Sequence, residues 1–221
     1  MPPSGALPAP DSTAASDPTP APASVAAPAL RSVEELTAHT ATGARVKYLY
    51  FWGHRPQRDG SPGPGCLSQW WPAPFTVDGV RYATAEHWMM AGKARLFGDE
   101  DAERRAIEAG HPKQAKGVGR SVRGFDDEVW RRERFALVTE GSRHKFAQHP
   151  DLRGYLLGTG RRVLVEASPM DRIWGIGLAA DDERAKTPAT WRGLNLLGFA
   201  LMAARDGLAA EGGGSPPPAG R

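Results

Sequence analysis

Apolar residues along this chain change their spacing from one segment to the next, and the changes mark out elements. VKYLYFWG (46–53) alternates and is rich in aromatic and β-branched residues, so it predicts a strand. FTVDGVRY (75–82) holds two short alternating runs around Asp78-Gly79, the composition of a hairpin turn. In YATAEHWMMAGKARLF (82–97) the apolar positions shift to helical spacing, with Thr84 placed to cap the start and Gly98 to end it. Asp99 opens a polar helix to about Ala109, which Gly110, His111 and Pro112 break.

The short segment PKQAKGVGR follows as a helix, and Asp126 or Asp127 caps the long one containing VWRRERFALVTEGSRHKFAQ. PDLRGYLLGTG (150–160) has Pro first and Gly last, the order expected of a helix. RVLVEAS (162–168) predicts a strand, DRIWGIGL (171–178) a strand or tight loop, and LNLLGFALMAARDGL (194–208) a closing helix. HRPQRDGSPGPG (54–65) is a loop by its Pro and Gly, and CLSQWWPAPF (66–75) is irregular. Mostly helices with a few short strands predict a single α+β domain over 45–208.

Composition changes the picture at the two ends. Residues 1–30 are almost wholly Pro, Ala, Ser, Thr and Gly, with Asp11 and Asp17 as the only charges, and EGGGSPPPAGR (211–221) is similar. Such segments bury too little apolar surface to offset chain entropy, so 1–44 are expected to be a disordered leader and 209–221 a disordered tail. The N-terminus has neither the basic region nor the apolar core of a secretory signal. No stretch approaches the roughly 18 continuous apolar residues of a membrane span. Cys66 is the only cysteine, which excludes an intrachain disulfide and a cysteine metal cluster. A soluble cytoplasmic protein is expected. Net charge is +3, but residues 1–43 hold Asp11, Asp17, Glu34 and Glu35 against Arg31, so the rest carries +6. That excess suits an anionic partner, a phosphate ester or nucleic acid, and is also common in proteins that bind neither.

Four stretches carry candidate chemistry. In the 82–97 helix, Glu86 and Lys93 project within about 20° of each other, and a desolvated carboxylate and amine have shifted pKa values. Spacing alone equally describes a core helix with boundary charges, and His87 projects about 100° away from Glu86. In SPMDRIWGIG (168–177), Asp171 precedes Trp174 by three, and Gly175 implies backbone approaching a ligand beside an aromatic wall. Gln69, Trp70 and Trp71 offer rings with polar handles for stacking a heterocycle, or are core. Lys116, Arg120 and Arg123 lie among glycines as a phosphate clamp or a solvated basic loop.

The ordered motifs FWG, CLSQWWPAPF, Y-x-T-A-E-H-W-M-M-A-x-K-A, A-K-x-x-G-R, LVEASPMDRIWGIGL and W-x-G-x-N-L-L-G-x-A-L-M resemble the YbiA-like family, also called NADAR for a link to NAD and ADP-ribose. The resemblance runs from about Tyr48 to Leu208. It implies a mostly helical domain that cleaves N-glycosidic bonds without metal or cofactor. Two substrate classes go with the family: phosphoribosylamino-pyrimidine intermediates of riboflavin synthesis, and ADP-ribose attached to guanine bases of nucleic acid. In both, the bond joins ribose C1 to an amine of a heterocycle, and its cleavage builds oxocarbenium-like charge.

The resemblance thus points to Glu86 and Asp171 as carboxylates near C1. Lys93 would orient Glu86, bind phosphate, or attack C1 of the opened sugar. Trp174 with Trp70 or Trp71 would stack on the heterocycle. Lys116 and Arg120 would contact phosphate, and Asn195 ribose or a phosphate oxygen. A small ribosyl-phosphate substrate is the expected partner, with ADP-ribosylated nucleic acid as the alternative. A non-catalytic ADP-ribose or NAD binding module is a third reading.

Overall fold

The computed structural model describes residues 29–212. Strand β1 (Tyr48–Phe51) pairs in parallel with β4 (Val163–Glu166), in register from Tyr48↔Val163 to Phe51↔Glu166. Strands β2 (Phe75–Val77) and β3 (Val80–Tyr82) form an antiparallel hairpin. The helices are α1 (Val33–Ala41), α2 (Ala85–Leu96), α3 (Glu100–Glu108), α4 (Pro112–Arg120), α5 (Asp127–Ala147), α6 (Pro150–Gly158) and α7 (Leu196–Gly212). Single 3-10 turns lie at Pro64–Leu67, Glu183–Lys186 and Pro188–Thr190. The fold is the mostly helical α+β domain expected. No helix among the described residues is long and apolar enough to cross a membrane.

Local chemistry accounts for most boundaries. Asp78 (φ 49) and Gly79 (φ 80) take the paired left-handed geometry that matches the twist of a tight hairpin. Asp99 caps α3 through Ala102 N–H at 3.2 Å, and Asp126 caps α5 through Val129 N–H at 2.9 Å. Pro112 and Pro150 occupy first turns, where a missing N–H costs nothing. In β4, Val163, Leu164 and Val165 are all buried, with α7 packed on the strand and β1 paired along its edge. The 171–178 segment is a loop rather than a strand.

The chain ends differ from expectation. Residues 1–28 and 213–221 lie outside the described residues, but 33–41, inside the expected leader, form α1. Ser32 caps it by accepting from Glu35 N–H at 3.2 Å, and Leu36 is fully buried. Buried Leu36, with Leu30 and Val33 beside it in the core and a cap, docks a helix that composition does not announce. At the other end, α7 continues to Gly212 rather than stopping at 208.

Helix α2 is the hub, packing against α3, α4 and α5. Nine of its twelve residues are buried, so it shows no single wet face. Its neighbours approach closely through glycines: a Cβ on Gly119 or Gly141 would collide with Met90 or Trp88. The same device seats α7 on β4, where a Cβ on Gly198 would fall on the Leu164 carbonyl oxygen and the Asn195 amide. Gly198→Ala is therefore expected to lower unfolding free energy by about 2 kcal/mol or more, checked by urea denaturation.

Candidate active site

Glu86 lies in the first turn of α2, its backbone N–H donating to the Gln69 carbonyl at 3.0 Å. It is only 3% exposed, and its Oε1 is buried with no hydrogen-bond partner among the described residues. Burial pushes this carboxyl up to about 7. Lys116, the Trp70 side chain and Arg120 pull it back down, while Asp171 adds to the rise.

A second carboxyl shares this field. Glu166 closes β4, and its Oε2 is likewise buried without a partner. Burial pushes it up to about 8; Asp171 and Glu86 raise it further and Lys116 opposes them. Its backbone is gripped from both sides, the N–H by Asn195 Oδ1 at 2.9 Å and the carbonyl by Ile176 N–H at 2.9 Å. Glu166 was missed by the sequence reading, although a lone acid ending the apolar run VLVE was a usable signal. Asp171 holds the loop that follows, its Oδ1 accepting from Ile173 N–H at 2.9 Å and Trp174 N–H at 2.8 Å.

The expected residues divide into those brought together and those not. Asp171, Lys116, Arg120 and Trp70 all act on Glu86. Trp70 is half-buried between two imidazoles, His54 and His111, each 5.8 Å away between ring centroids. Gln69 is buried beside it with Nε2 unpartnered among the described residues. Trp71 and Trp174 are partly buried against the core.

Lys93 does not join the carboxyls. Seven residues separate it from Glu86, close in projection but about 10 Å apart along the axis. Its Nζ donates to the Gly119 carbonyl at 2.8 Å and sits 4.1 Å over the Phe125 ring. The amine acting on Glu86 and Glu166 is Lys116, from α4. Asn195 also departs from expectation. It is fully buried, Oδ1 taking the Glu166 N–H and Nδ2 donating to the Leu164 carbonyl at 2.9 Å, so no amide atom is left for a ligand. Gly175 does permit a close approach, but to its own chain: a Cβ would lie 2.8 Å from the Glu166 carbonyl oxygen. Arg123, grouped by sequence with the phosphate clamp, instead pairs with Asp99 at 2.6 Å.

His87 is structural. Its Nε2 bonds the Ala109 carbonyl at 2.9 Å and must donate there, leaving Nδ1 to accept from the Thr84 hydroxyl at 2.8 Å. Thr84 thus spends its hydroxyl on His87 and makes no side-chain cap. Beneath the Trp70 segment, fully buried Lys145 donates to the Cys66 carbonyl at 2.6 Å and the Ser68 carbonyl at 2.8 Å. A buried carboxyl, a half-buried one with one buried oxygen, a third beside them, two cations and an aromatic wall form a set suited to acid–base work on a polar, anionic molecule.

Comparison with known proteins places the chain in a family. Residues 50–209 match the NADAR domain model. An N-glycosidase of Acanthamoeba polyphaga mimivirus is 42% identical over 165 residues, covering 72% of this chain and 95% of the relative. The N-glycosidase YbiA of Escherichia coli is 32% identical over 138 residues, covering 62% of this chain and 78% of the relative. The NMR structure of the E. coli protein YbiA superposes with a TM-score of 0.63 at 26% identity, covering 80% of this chain and 94% of that one.

The raised carboxyls have a cost in stability. An unfolded Glu titrates near 4.5, whereas the folded pair titrates near 7 and 8. Between those values the folded state binds more protons than the unfolded one, so stability falls as pH rises from about 4.5 and levels off above about 8. Glu86→Gln removes one such penalty. It should raise unfolding free energy at pH 8 by on the order of 1–3 kcal/mol and change it little at pH 4, measured by urea denaturation at both. Lys145→Met should act the other way at pH 8, since it strands two buried carbonyls at a cost of about 2–3 kcal/mol; because burial pulls the amine from 10.5 down to about 7, the loss should be smaller at pH 4 in the same assay.

Proposed function

Because the chain belongs to the NADAR domain family, we propose that it is an N-glycosidase that hydrolyses the bond between ribose C1 and the amine nitrogen of a heterocycle. The observation that carries this reading is the carboxyl pair of buried Glu86 and half-buried Glu166, each with one buried, unpartnered oxygen and a pKa near neutrality. N-glycoside cleavage needs a proton for the departing nitrogen and a negative group facing C1. Near neutral pH the coupled pair holds roughly one proton, because ionising one carboxyl opposes ionisation of the other.

In this mechanism Glu166, the weaker acid, donates its proton to the amine nitrogen as the C1–N bond breaks. Glu86 as carboxylate faces the oxocarbenium and takes a proton from the attacking water, whose oxygen forms the new bond to C1. The products are the free sugar and the free amine, and the proton passed to Glu86 is lost to solvent as Glu166 takes one back, so the pair again holds a single proton. Asp171 supplies negative potential while fixing the loop through its Oδ1. Lys116 and Arg120 take the phosphate on the sugar, and Trp70, walled by two imidazoles, stacks on the heterocycle. Lys93 holds α4 through the Gly119 carbonyl and so positions those two cations.

The substrate class this reading favours is the phosphoribosylamino-pyrimidines of riboflavin synthesis, small molecules with one phosphate and an amino-heterocycle leaving group. Removal of ADP-ribose from guanine is a second reading, favoured by the exposure of Trp52 (68%) after β1 and Met170 (91%) after β4, apolar groups able to meet a nucleobase.

Purified protein incubated with the ribosylaminopyrimidine phosphates should release ribose 5-phosphate, and with ADP-ribosylated oligonucleotide little or no ADP-ribose; the reverse pattern would select the second reading. Failure to release sugar from either would sink the glycosidase reading. Glu86→Gln and Glu166→Gln should each lower kcat on the order of a hundredfold or more. The wild-type rate should follow a bell-shaped pH profile centred between about 7 and 8, with Glu166→Gln losing the alkaline limb.

A further inference from the structure

A cavity of about 610 Å³ lies not at the carboxyl pair but at the other end of the same strands. It opens beside Lys47 and Val163, where β1 and β4 begin, whereas Glu166 ends β4. Three residues of strand, about 10 Å, separate the two positions. Helix α1, the turn before β4 and the second half of α7 complete its walls.

The lining is overwhelmingly cationic. Arg31, Arg45, Lys47, Arg161, Arg162 and Arg205 face the cavity against a single acid, Asp206, with His39 beside them. Asp206 is already engaged by Arg31 at 3.1 Å. Arg162 is spent on the Thr159 and Gly158 carbonyls, which shape the turn. Arg205 is only 6% exposed; its Nη1 donates to Thr159 Oγ1 and the Arg162 carbonyl, each at 2.9 Å. Arg45, Lys47 and Arg161 are exposed and make no ion pair or side-chain hydrogen bond among the described residues.

Like charges gathered round one concavity repel. Burial holds the Arg205 guanidinium below its usual range, and Arg31 and Arg162 push it the same way against the pull of Asp206. An anion placed among them would relieve that repulsion and receive charge-assisted hydrogen bonds from several directions. The volume falls within the range of small-molecule sites and suits a nucleotide rather than a lone ion.

We propose that this cavity binds a small anion carrying two or more phosphoryl groups, of the size of a nucleoside diphosphate, at a site separate from the carboxyl cleft. Nearly half of the lining, from Leu30 to Lys47, precedes residue 50, where the match to the family model begins. The site is therefore built in part by this chain's own N-terminal segment.

The test uses full-length protein carrying Lys116→Ala and Arg120→Ala, which removes the phosphate-facing cations of the carboxyl cleft. ADP and inorganic tripolyphosphate are each titrated by calorimetry at low and physiological salt. Saturable binding below about 1 mM that weakens with salt is expected. If tripolyphosphate binds as well as ADP, the phosphoryl chain is what is recognised; if ADP binds better, the nucleoside contributes too. Adding Arg45→Glu, Lys47→Glu and Arg161→Glu, exposed positions whose reversal leaves the core intact, should weaken binding by about a hundredfold or more. The same three changes in otherwise wild-type protein should leave glycosidase turnover unchanged. No binding of either probe, equal binding after charge reversal, or tighter binding of a single-stranded oligonucleotide than of both probes would overturn the proposal.

Discussion

Burying α2 on every side is the constraint from which the rest of the structure follows. A helix enclosed by its neighbours must have each side-chain polar group met by something other than water. His87 is met by Thr84 and the Ala109 carbonyl, Trp88 by the Leu137 carbonyl at 2.9 Å, and Lys93 by the Gly119 carbonyl. On this fully accounted helix one atom is left over, Glu86 Oε1. Buried atoms without partners also occur elsewhere among the described residues, on Gln69, Arg134, Ser142 and Arg153, but the two carboxyl oxygens among them, of Glu86 and Glu166, lie in one another's field. Such groups are expensive to keep, and perturbed carboxyls of this kind cluster at functional sites.

Fold and site share their supports. The Asn195 amide ties α7 to β4 through two backbone groups, Leu164 carbonyl and Glu166 N–H. It does so from a left-handed conformation (φ 51) that Asn tolerates better than most residues. Without that bracket the end of β4 would have no partner on its α7 side, and Glu166 would lose its aim. Gly198 is the complement of the bracket, since only a residue without Cβ lets α7 come close enough for the amide to reach. The residues that stabilise the β4–α7 contact are therefore the ones that place the acid.

Much of this was legible in the sequence. Alternation, capping acids, prolines at helix starts and the Asp78-Gly79 turn are local signals, and the elements they mark are present. Glu86, Asp171, Lys116, Arg120 and Trp70 were all named from their motifs. The departures have a common cause: helical projection reports angle and not depth. It set Lys93 next to Glu86 although two turns separate them, while the amine that does face the carboxyls comes from another helix. Asn195 shows the same limit from the other side, since nothing in N-L-L-G says that both ends of its amide are already engaged. Glu166 was hidden because one acid after three apolar residues reads as a strand end, and α1 because only Leu30, Val33 and Leu36 of its region reach the core.

The clasp under Trp70 has a property of its own. Burial pulls the Lys145 amine down to about 7, so near neutrality a fraction of the molecules carry it uncharged. A neutral amine keeps two N–H groups, and there are two carbonyls to satisfy, those of Cys66 and Ser68. The fastening thus survives the loss of the proton. It is a hydrogen-bonded staple whose strength depends neither on ionic strength nor on an opposing charge, so the wall of the cleft can keep its shape while the carboxyls facing it exchange protons with solvent.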